Sequence, residues 1–469
     1  MRRAPPSFTN GMVRSGTAVA LALVIASCSV LEPAPLPPEG QVVLGVATDA
    51  WLPRGSDAPY EPITRNALFE RMRIELFAPG ETEPCRECYR DFGAEHVVFN
   101  EGRATVGFVP RPGASGYRAR VRLYHAGATE SSAEPQPSST LEAVVSLPPV
   151  GPDGIVDVHV VLLTDDILTP RGTLASPVPA SAGPPPKGLA GTWHAEVSSA
   201  CSSPAREGEA CVPGGAFWFG DLSLSVPYER LVAVSPFFID KHEATVADMR
   251  ASGLASGGGT LDKGDPAIEG TDTTKFNFYC TYTARPGKNE ELPANCVSLE
   301  LARRFCEARG GTLPSEAQFE FVAGARRDAT FPWGDVNAGC EDAVFSRSYD
   351  AARPPEWRKC GALGVGPAKP GSGRLDRVSL PDGEIVDLAG NLAEWLRDTN
   401  QDADEPCYHD NPVVDPVCTE PGRTAGWPIR GTSWAELGAG QLRAAASQAI
   451  GTSSPQGVRI GMRCVRPGH

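Results

Sequence analysis

Between residues 41 and 165 the chain is built from short apolar-polar runs. Val42-Val43-Leu44-Gly45-Val46, Met72-Arg73-Ile74-Glu75-Leu76, Tyr117-Arg118-Ala119-Arg120-Val121-Arg122-Leu123-Tyr124 and Val156-Asp157-Val158-His159-Val160-Val161-Leu162 are the clearest. Several keep a period of two, which turns one face of a strand to a core and the other to solvent. Helical spacing is scarce. The pattern predicts a small β-sandwich over 41–165. Residues 166–200 then turn proline-rich, with Pro-Val-Pro-Ala-Ser-Ala-Gly-Pro-Pro-Pro-Lys at 177–187, and predict an extended, semi-rigid linker. From 201 to 469 Trp, Gly and Cys rise and long regular elements thin out. Two helices are still marked. One is capped by Ser298, carries Leu301, Phe305 and Cys306, and stops at Gly310-Gly311. The other runs from Ser315 to Ala325, with Gln318 three residues after its cap.

The N-terminus has a different pattern. Arg2, Arg3 and Arg14 precede an uncharged apolar run, Ala18 to Ala26. That run is far shorter than the ~20 residues of a membrane-spanning helix. A positive leader, a short apolar stretch and small residues at its end describe a signal peptide over 1–27. The run closes on Ile25-Ala26-Ser27-Cys28, which resembles the lipobox of bacterial lipoproteins. The resemblance implies cleavage before Cys28 and acylation, palmitate included, of that residue. Two or more acyl chains hold a protein at a membrane stably. Residues 28–40 then form a proline-rich tether. No later segment is apolar and long enough to be a second anchor. Ser29, in place of Asp, implies the outer rather than the inner membrane by the family's sorting rule.

Charge and cysteine content narrow the partners. The formal net charge is −14, and the leader holds three Arg and no acid, so the remainder is more acidic still. Neutralising phosphates needs Lys and Arg, so nucleic acid is excluded as a partner. Acidity suits cation sites built from oxygen ligands. Setting Cys28 aside, the 13 Cys leave an even number for disulfides, which an exported protein permits. Close neighbours are Cys85 and Cys88, Cys201 and Cys211, Cys280 and Cys296, Cys340 and Cys360, and Cys407 and Cys418. Cys306 and Cys464 remain, far apart. Spacing alone does not determine connectivity. Cys85-Arg-Glu-Cys88 also has the spacing of a redox motif, but no strand-to-helix context accompanies it. A second CxxC and a nearby His are both missing, which argues against zinc.

A series of motifs in the C-terminal half carries more information. Val212-Pro213-Gly214-Gly215-Ala216-Phe217 is followed by Phe237-Phe238-Ile239-Asp240-Lys241-His242-Glu243-Ala244-Thr245, Pro293-Ala294-Asn295-Cys296-Val297-Ser298 and Gly310-Gly311-Thr312-Leu313-Pro314-Ser315-Glu316-Ala317-Gln318-Phe319-Glu320. Then come Phe331-Pro332-Trp333-Gly334-Asp335, Asp387-Leu388-Ala389-Gly390-Asn391-Leu392-Ala393-Glu394-Trp395, Arg430-Gly431-Thr432-Ser433-Trp434 and Gly461-Met462-Arg463-Cys464-Val465-Arg466. Their order and spacing over residues 209–467 resemble the formylglycine-generating enzyme, or sulfatase-modifying factor, family. The resemblance implies an α+β, C-type-lectin-like fold at the C-terminus, rich in loops and held by disulfides and calcium. It also implies that Cys306 pairs with Cys464. By position, the calcium ligands are the side chains of Asp387 and Glu394 and the carbonyls of Gly390 and Leu392, a hard-oxygen set of the kind Ca²⁺ takes.

Family members oxidise a cysteine of a sulfatase to formylglycine with oxygen and a copper(I) ion held by two Cys. Soft thiolates are what Cu(I) selects. Here the interval Ala435 to Met462 contains no Cys. Glu436 falls at the first ligand position and Ala439 or Gly440 near the second. A disulfide that some relatives make from the second helix to this segment maps onto Ala323 and Ala444. No copper is expected. The seven His form no HxxxH or HExxH pattern, against an iron site, and neither a GxSxG nor a Walker motif is present. Asp402, Asp404 and Glu405 read as a solvated acidic loop. The expected function is an envelope lipoprotein whose domain binds or scaffolds a protein, peptide or glycan, with Trp333, Trp357, Trp427 and Trp434 as possible contacts. The alternative is an enzyme of the same fold with a copper-independent reaction through Glu436, Arg443 and Ser447, or a divergent formylglycine-generating oxidase. A cleft gathering those three residues would favour the enzyme; an apolar, filled one would favour the binding module.

Overall fold

The computed structural model describes residues 40–54, 67–85, 88–111, 114–125, 134–196, 200–221, 228–255, 280–283, 285–326, 329–348, 358–401, 407, 414–423, 426–436, 438–450 and 457–468. The leader, Cys28, the tether up to residue 39, Trp357, Asp402, Asp404 and Glu405 lie outside them.

The N-terminal unit is a two-sheet sandwich. Its strands are β1 (Gln41–Thr48), β2 (Arg71–Phe77), β3 (Tyr89–Gly93), β4 (Thr105–Phe108), β5 (Arg118–Tyr124), β6 (Thr140–Ser146), β7 (Ile155–Leu162), β8 (Val178–Pro179) and β9 (Ser181–Ala182), with one short helix, α1 (His96–Asn100). One sheet runs β4-β1-β7-β9, the other β3-β2-β5-β6-β8. Alternation decides which side chains meet between them. Val42, Leu44, Val158 and Val160 from the first sheet join Met72, Ile74, Val121 and Leu123 from the second in one core. The outer face of the second sheet is an ion-pair ladder. Arg73 binds Asp91 with two hydrogen bonds of 2.8 Å, and Glu75 takes Arg120 at 2.6 Å and Arg122 at 2.7 Å.

The proline-rich segment departs from the expected linker. It is a strap laid along the sandwich. β8 pairs with β6 and β9 with β7, both at sheet edges. Val144 N donates to Arg171 O (2.8 Å) and Ala180 N to Ser146 O (3.2 Å). Trp193, 2 % exposed, sits in the sandwich core and donates from its indole to Asp165 at 2.8 Å. Proline lacks an N–H but is tolerated on an edge strand, and the residues between the prolines make the ladder bonds. Composition registered the prolines and missed those partners.

The C-terminal unit contains β10 (Glu209–Val212), β11 (Gly215–Asp221), β12 (Tyr228–Val234), β13 (Phe237–Asp240), α2 (Val246–Ala251), α3 (Leu299–Ala308), α4 (Glu316–Ala323), β14 (Arg377–Leu380), β15 (Gly383–Val386), β16 (Ala393–Trp395), β17 (Trp427–Arg430), β18 (Ser447–Ile450), β19 (Ile460–Gly461) and β20 (Val465–Pro467). It is divided into small sheets, β10-β13-β20, β11-β12, β14-β15 and β18-β17-β16-β19. Ser298 and Ser315 accept hydrogen bonds from Leu301 N and Gln318 N and so cap α3 and α4, and Gln318 closes a capping box. Helix α4 ends at Ala323, two residues short of the expected end, because Ala325 and Arg326 are left-handed (φ 56° and 62°). Six disulfides join Cys85–Cys88, Cys201–Cys211, Cys280–Cys296, Cys306–Cys464, Cys340–Cys360 and Cys407–Cys418. The first is followed by strand β3, not by a helix, so the redox-motif context is missing. No helix among the described residues is long and apolar enough to cross a membrane.

Candidate functional site

The loop between β15 and β16 carries the Asp387-to-Glu394 motif. Two of its residues, Asp387 and Asn391, are left-handed (φ 57° and 73°), so the chain folds back twice in a short span. Buried carboxylates from elsewhere hold it in that shape. Asp376 accepts from three successive main-chain donors, Leu388 N at 3.0 Å, Ala389 N at 3.0 Å and Gly390 N at 2.8 Å. Glu243 accepts from Leu392 N at 3.2 Å and from the Asn391 amide at 3.4 Å. Glu394 receives Arg463 through Nε (2.7 and 2.9 Å) and Nη2 (2.7 Å), and neither side chain is exposed. The same guanidinium donates to the carbonyls of Val386 and Asp387 at 3.0 Å.

Four buried carboxylates thus surround one paired guanidinium. Asp387 accepts from Gly371 N at 2.6 Å with one oxygen, and its other oxygen, Oδ1, has no hydrogen-bond partner. Burial, and then the neighbouring Asp376, pushes the Asp387 carboxyl up to about 8. Burial also lifts Glu243 well above its ordinary value, with Asp387 and Glu394 adding to it. Surplus buried negative charge and an orphaned carboxylate oxygen fit a hard divalent cation. Asp387 Oδ1 and the carbonyls of Gly390 and Leu392 would be its donors. Glu394 can add only the lone pairs that Arg463 leaves, since a carboxylate has about four acceptor positions. Among the described residues no three acidic, His or Cys side chains converge as a metal cluster.

The segment from Ala435 to Met462 contrasts with this loop. Glu436, expected at the first thiol position, is ion-paired with Arg459, and its carbonyl accepts from Ser346 N at 2.9 Å. Ala323 and Ala444 are both buried in the core that holds Phe217, Phe319 and Phe321, so packed methyl groups stand at the positions of that disulfide. Arg443 is half-buried at the end of a 3-10 turn, and Ser447 is exposed on β18.

A small cleft with about 10 Å³ of free space lies elsewhere, between β11, β12, the start of α4 and the Cys407–Cys418 disulfide. Phe219, Val232, Ala317 and Pro416 line it, with Arg230, Glu316 and Asp398 among the polar groups. That is room for about one water, far below the ~300 Å³ at which ligand pockets usually begin. Asp398 accepts from Glu316 N at 2.9 Å and Cys418 N at 3.0 Å, so it fastens a helix start to a disulfide loop. Burial, and then Glu316, pushes its carboxyl up to about 7. Glu320 is pushed to about 7 by burial, with Arg430, 2.6 Å away, opposing the rise. Trp434 is core, 1 % exposed; Trp333 is half-buried and stacks on Phe331, and Trp427 is half-buried under Arg303. Sequence reasoning found the motif loop but missed Asp376, which belongs to no motif, and the roles of Glu243 and Arg463.

An α+β domain of many short sheets, stapled by disulfides and organised around this loop, is the architecture of the sulfatase-modifying factor class. Residues 194–467 match the family model described as the Sulfatase-modifying factor enzyme 1-like domain, and the chain belongs to that family. The match begins somewhat before the motif-bearing stretch. Over 119 residues the chain is 29 % identical to the inactive C-alpha-formylglycine-generating enzyme 2 of Bos taurus, covering 24 % of this chain and 36 % of that protein. It therefore spans about a third of the length of that curated relative. Among solved structures, PvdO from Pseudomonas aeruginosa is similar at 19 % identity and a TM-score of 0.39, covering 55 % of this chain and 94 % of that one. Treponema denticola variable protein 1 is similar at 16 % and 0.37, with the same coverage.

Proposed function

We propose that the chain is an envelope lipoprotein whose sulfatase-modifying-factor-like domain is a non-catalytic binding or scaffolding module for a protein, peptide or glycan. The observation that carries this reading is the state of the Ala435 to Met462 segment. It has no thiol, its Glu436 is committed to Arg459, and alanines fill the place of a neighbouring disulfide. A carboxylate and methyl groups do not replace two thiolates for Cu(I). That a similar bovine protein is named inactive agrees with this. Incubated with Cu(I), oxygen and a sulfatase-type Cys peptide, the full-length protein is expected to leave the peptide unchanged by mass spectrometry; formylglycine with turnover would refute the reading.

Two further parts of the proposal have their own tests. Cys28 carries the lipid, so a palmitate analogue labels the wild type and Cys28→Ser abolishes the label; an unlabelled wild type rejects it. A Ca²⁺ ion binds at Asp387, Gly390, Leu392 and Glu394. Binding to the native state alone stabilises by RT ln(1 + [L]/Kd), about 2.7 kcal/mol at a hundredfold excess over Kd. Melting temperatures in calcium and in chelator should therefore differ, and Asp387→Asn should erase most of the difference. Equal melts with no calcium by elemental analysis remove the ion from the reading.

A further inference from the structure

The two strands β11 and β12 form a hairpin whose faces are buried in different cores. Phe217, Phe219, Val232 and Val234 point into the C-terminal core. Ala216, Trp218, Leu231 and Ala233, the alternate positions, lie in the core of the sandwich. Each face is also fastened. On the C-terminal side Gly220 N donates to Glu320 of α4 at 2.6 Å, Phe217 meets Phe321 at 5.2 Å, and Asp415 N donates to Ala233 O at 2.8 Å. On the sandwich side the Trp218 indole donates to Leu68 O at 3.0 Å, and its ring meets Phe69 edge-on at 5.7 Å. Trp193, at the end of the strap, enters the same core as Trp218.

We infer that the hairpin is a coupling device: it makes the sandwich and the C-terminal unit one cooperative body, with no hinge between them, and carries a change in the stability of either unit to the other. Two domains in one chain ordinarily move against each other unless the surface between them is large and apolar. Here the boundary is a shared structural member. The sandwich lies outside the family match at 194–467, yet its core takes in four side chains of a hairpin that belongs to that match. Pulling the units apart would bring Trp218 and Leu231 into water, and an aromatic residue of that size buries about 150–250 Å². It would also take the indole donor from Leu68 O. The strap gives no slack, because β8 and β9 are paired to the two sheets of the sandwich before the chain reaches Trp193. A ligand held by the C-terminal unit is therefore presented in a fixed orientation to the sandwich, and this coupling holds whatever the ligand is.

The test uses the full chain as wild type, Ile74→Val in the sandwich core, Phe321→Leu in the C-terminal core and Trp218→Phe in the hairpin. Native-state hydrogen exchange follows the slowest amides of β5 (Arg118–Tyr124) and of α4 (Glu316–Ala323), which report the opening of the unit that contains them. Ile74→Val should lower protection ~2- to 10-fold, the loss expected for one methyl group removed from a core, and by the same factor in α4 as in β5. Phe321→Leu should lower β5 as much as it lowers α4, and Trp218→Phe should lower both together. Calorimetry of the wild type should show a single transition whose calorimetric and van't Hoff enthalpies agree. Loss of protection confined to β5 for Ile74→Val, or to α4 for Phe321→Leu, would overturn the inference, as would two separate transitions in the wild type.

Discussion

The loop at 387–394 and the segment at 435–462 belong to one domain and are held by opposite means. The loop keeps a costly arrangement, with Asp376, Asp387, Glu243 and Glu394 buried around Arg463. The segment has no thiol, and alanine packing and a peripheral ion pair remain. Buried charges clamp backbone that has little regular structure, as they do around Arg463.

That contrast can be broken by experiment, and the largest effect should come from its centre. Arg463→Met leaves Glu394 buried without its counter-charge, a loss typically worth about 3–5 kcal/mol. Urea denaturation should report it, whereas the double change with Glu394→Leu should recover part of the loss. Next is the Cys306–Cys464 disulfide, which closes 158 residues. Replacing both Cys by Ser should cost about 2–5 kcal/mol in the same assay. A titration gives a smaller effect. Asp387, Asp398 and Glu320 have folded-state carboxyls at about 8, 7 and 7, above their unfolded values. A raised carboxyl contributes stability that is full below the unfolded value, near ~4, and is lost as pH rises through the folded one. In chelator the melting temperature should therefore fall between about pH 4 and pH 8 and level off above, and Asp398→Asn should flatten the fall. The smallest effect belongs to the other region. Glu436→Ala removes a pair whose arginine is 43 % exposed, so it should cost under about 1 kcal/mol. A loss as large as that of Arg463→Met would erase the distinction between the two regions.

Local features were legible in the chain, and distant partners were not. Ser298 and Ser315 announced their helices because a cap and its donor lie three residues apart. The alternating strands of the sandwich show a period that needs no partner to be read. The motif around Gly390 was visible as a string, but Asp376, which shapes it, is an isolated acid whose role exists only after β14 and β15 fold back. The strap at 166–196 was misjudged for the same reason, since its hydrogen bonds go to β6 and β7. The β11–β12 hairpin shows the limit most clearly. Ala216-Phe217-Trp218-Phe219 is an unbroken apolar run, which signals burial on both faces without saying that the faces enter two different cores.

That hairpin also constrains how the gene can change. Side chains alternate with a period of two, so one residue added to or removed from either strand would send Trp218 toward the phenylalanines of the other unit and Phe217 or Phe219 toward the sandwich. Substitutions of similar volume are absorbed by one core at a time. A single-codon insertion or deletion disturbs both at once. Length variation among descendants of this chain should therefore gather outside the paired stretches Gly215–Asp221 and Tyr228–Val234, and recombination points that exchange one unit for another should fall on neither strand.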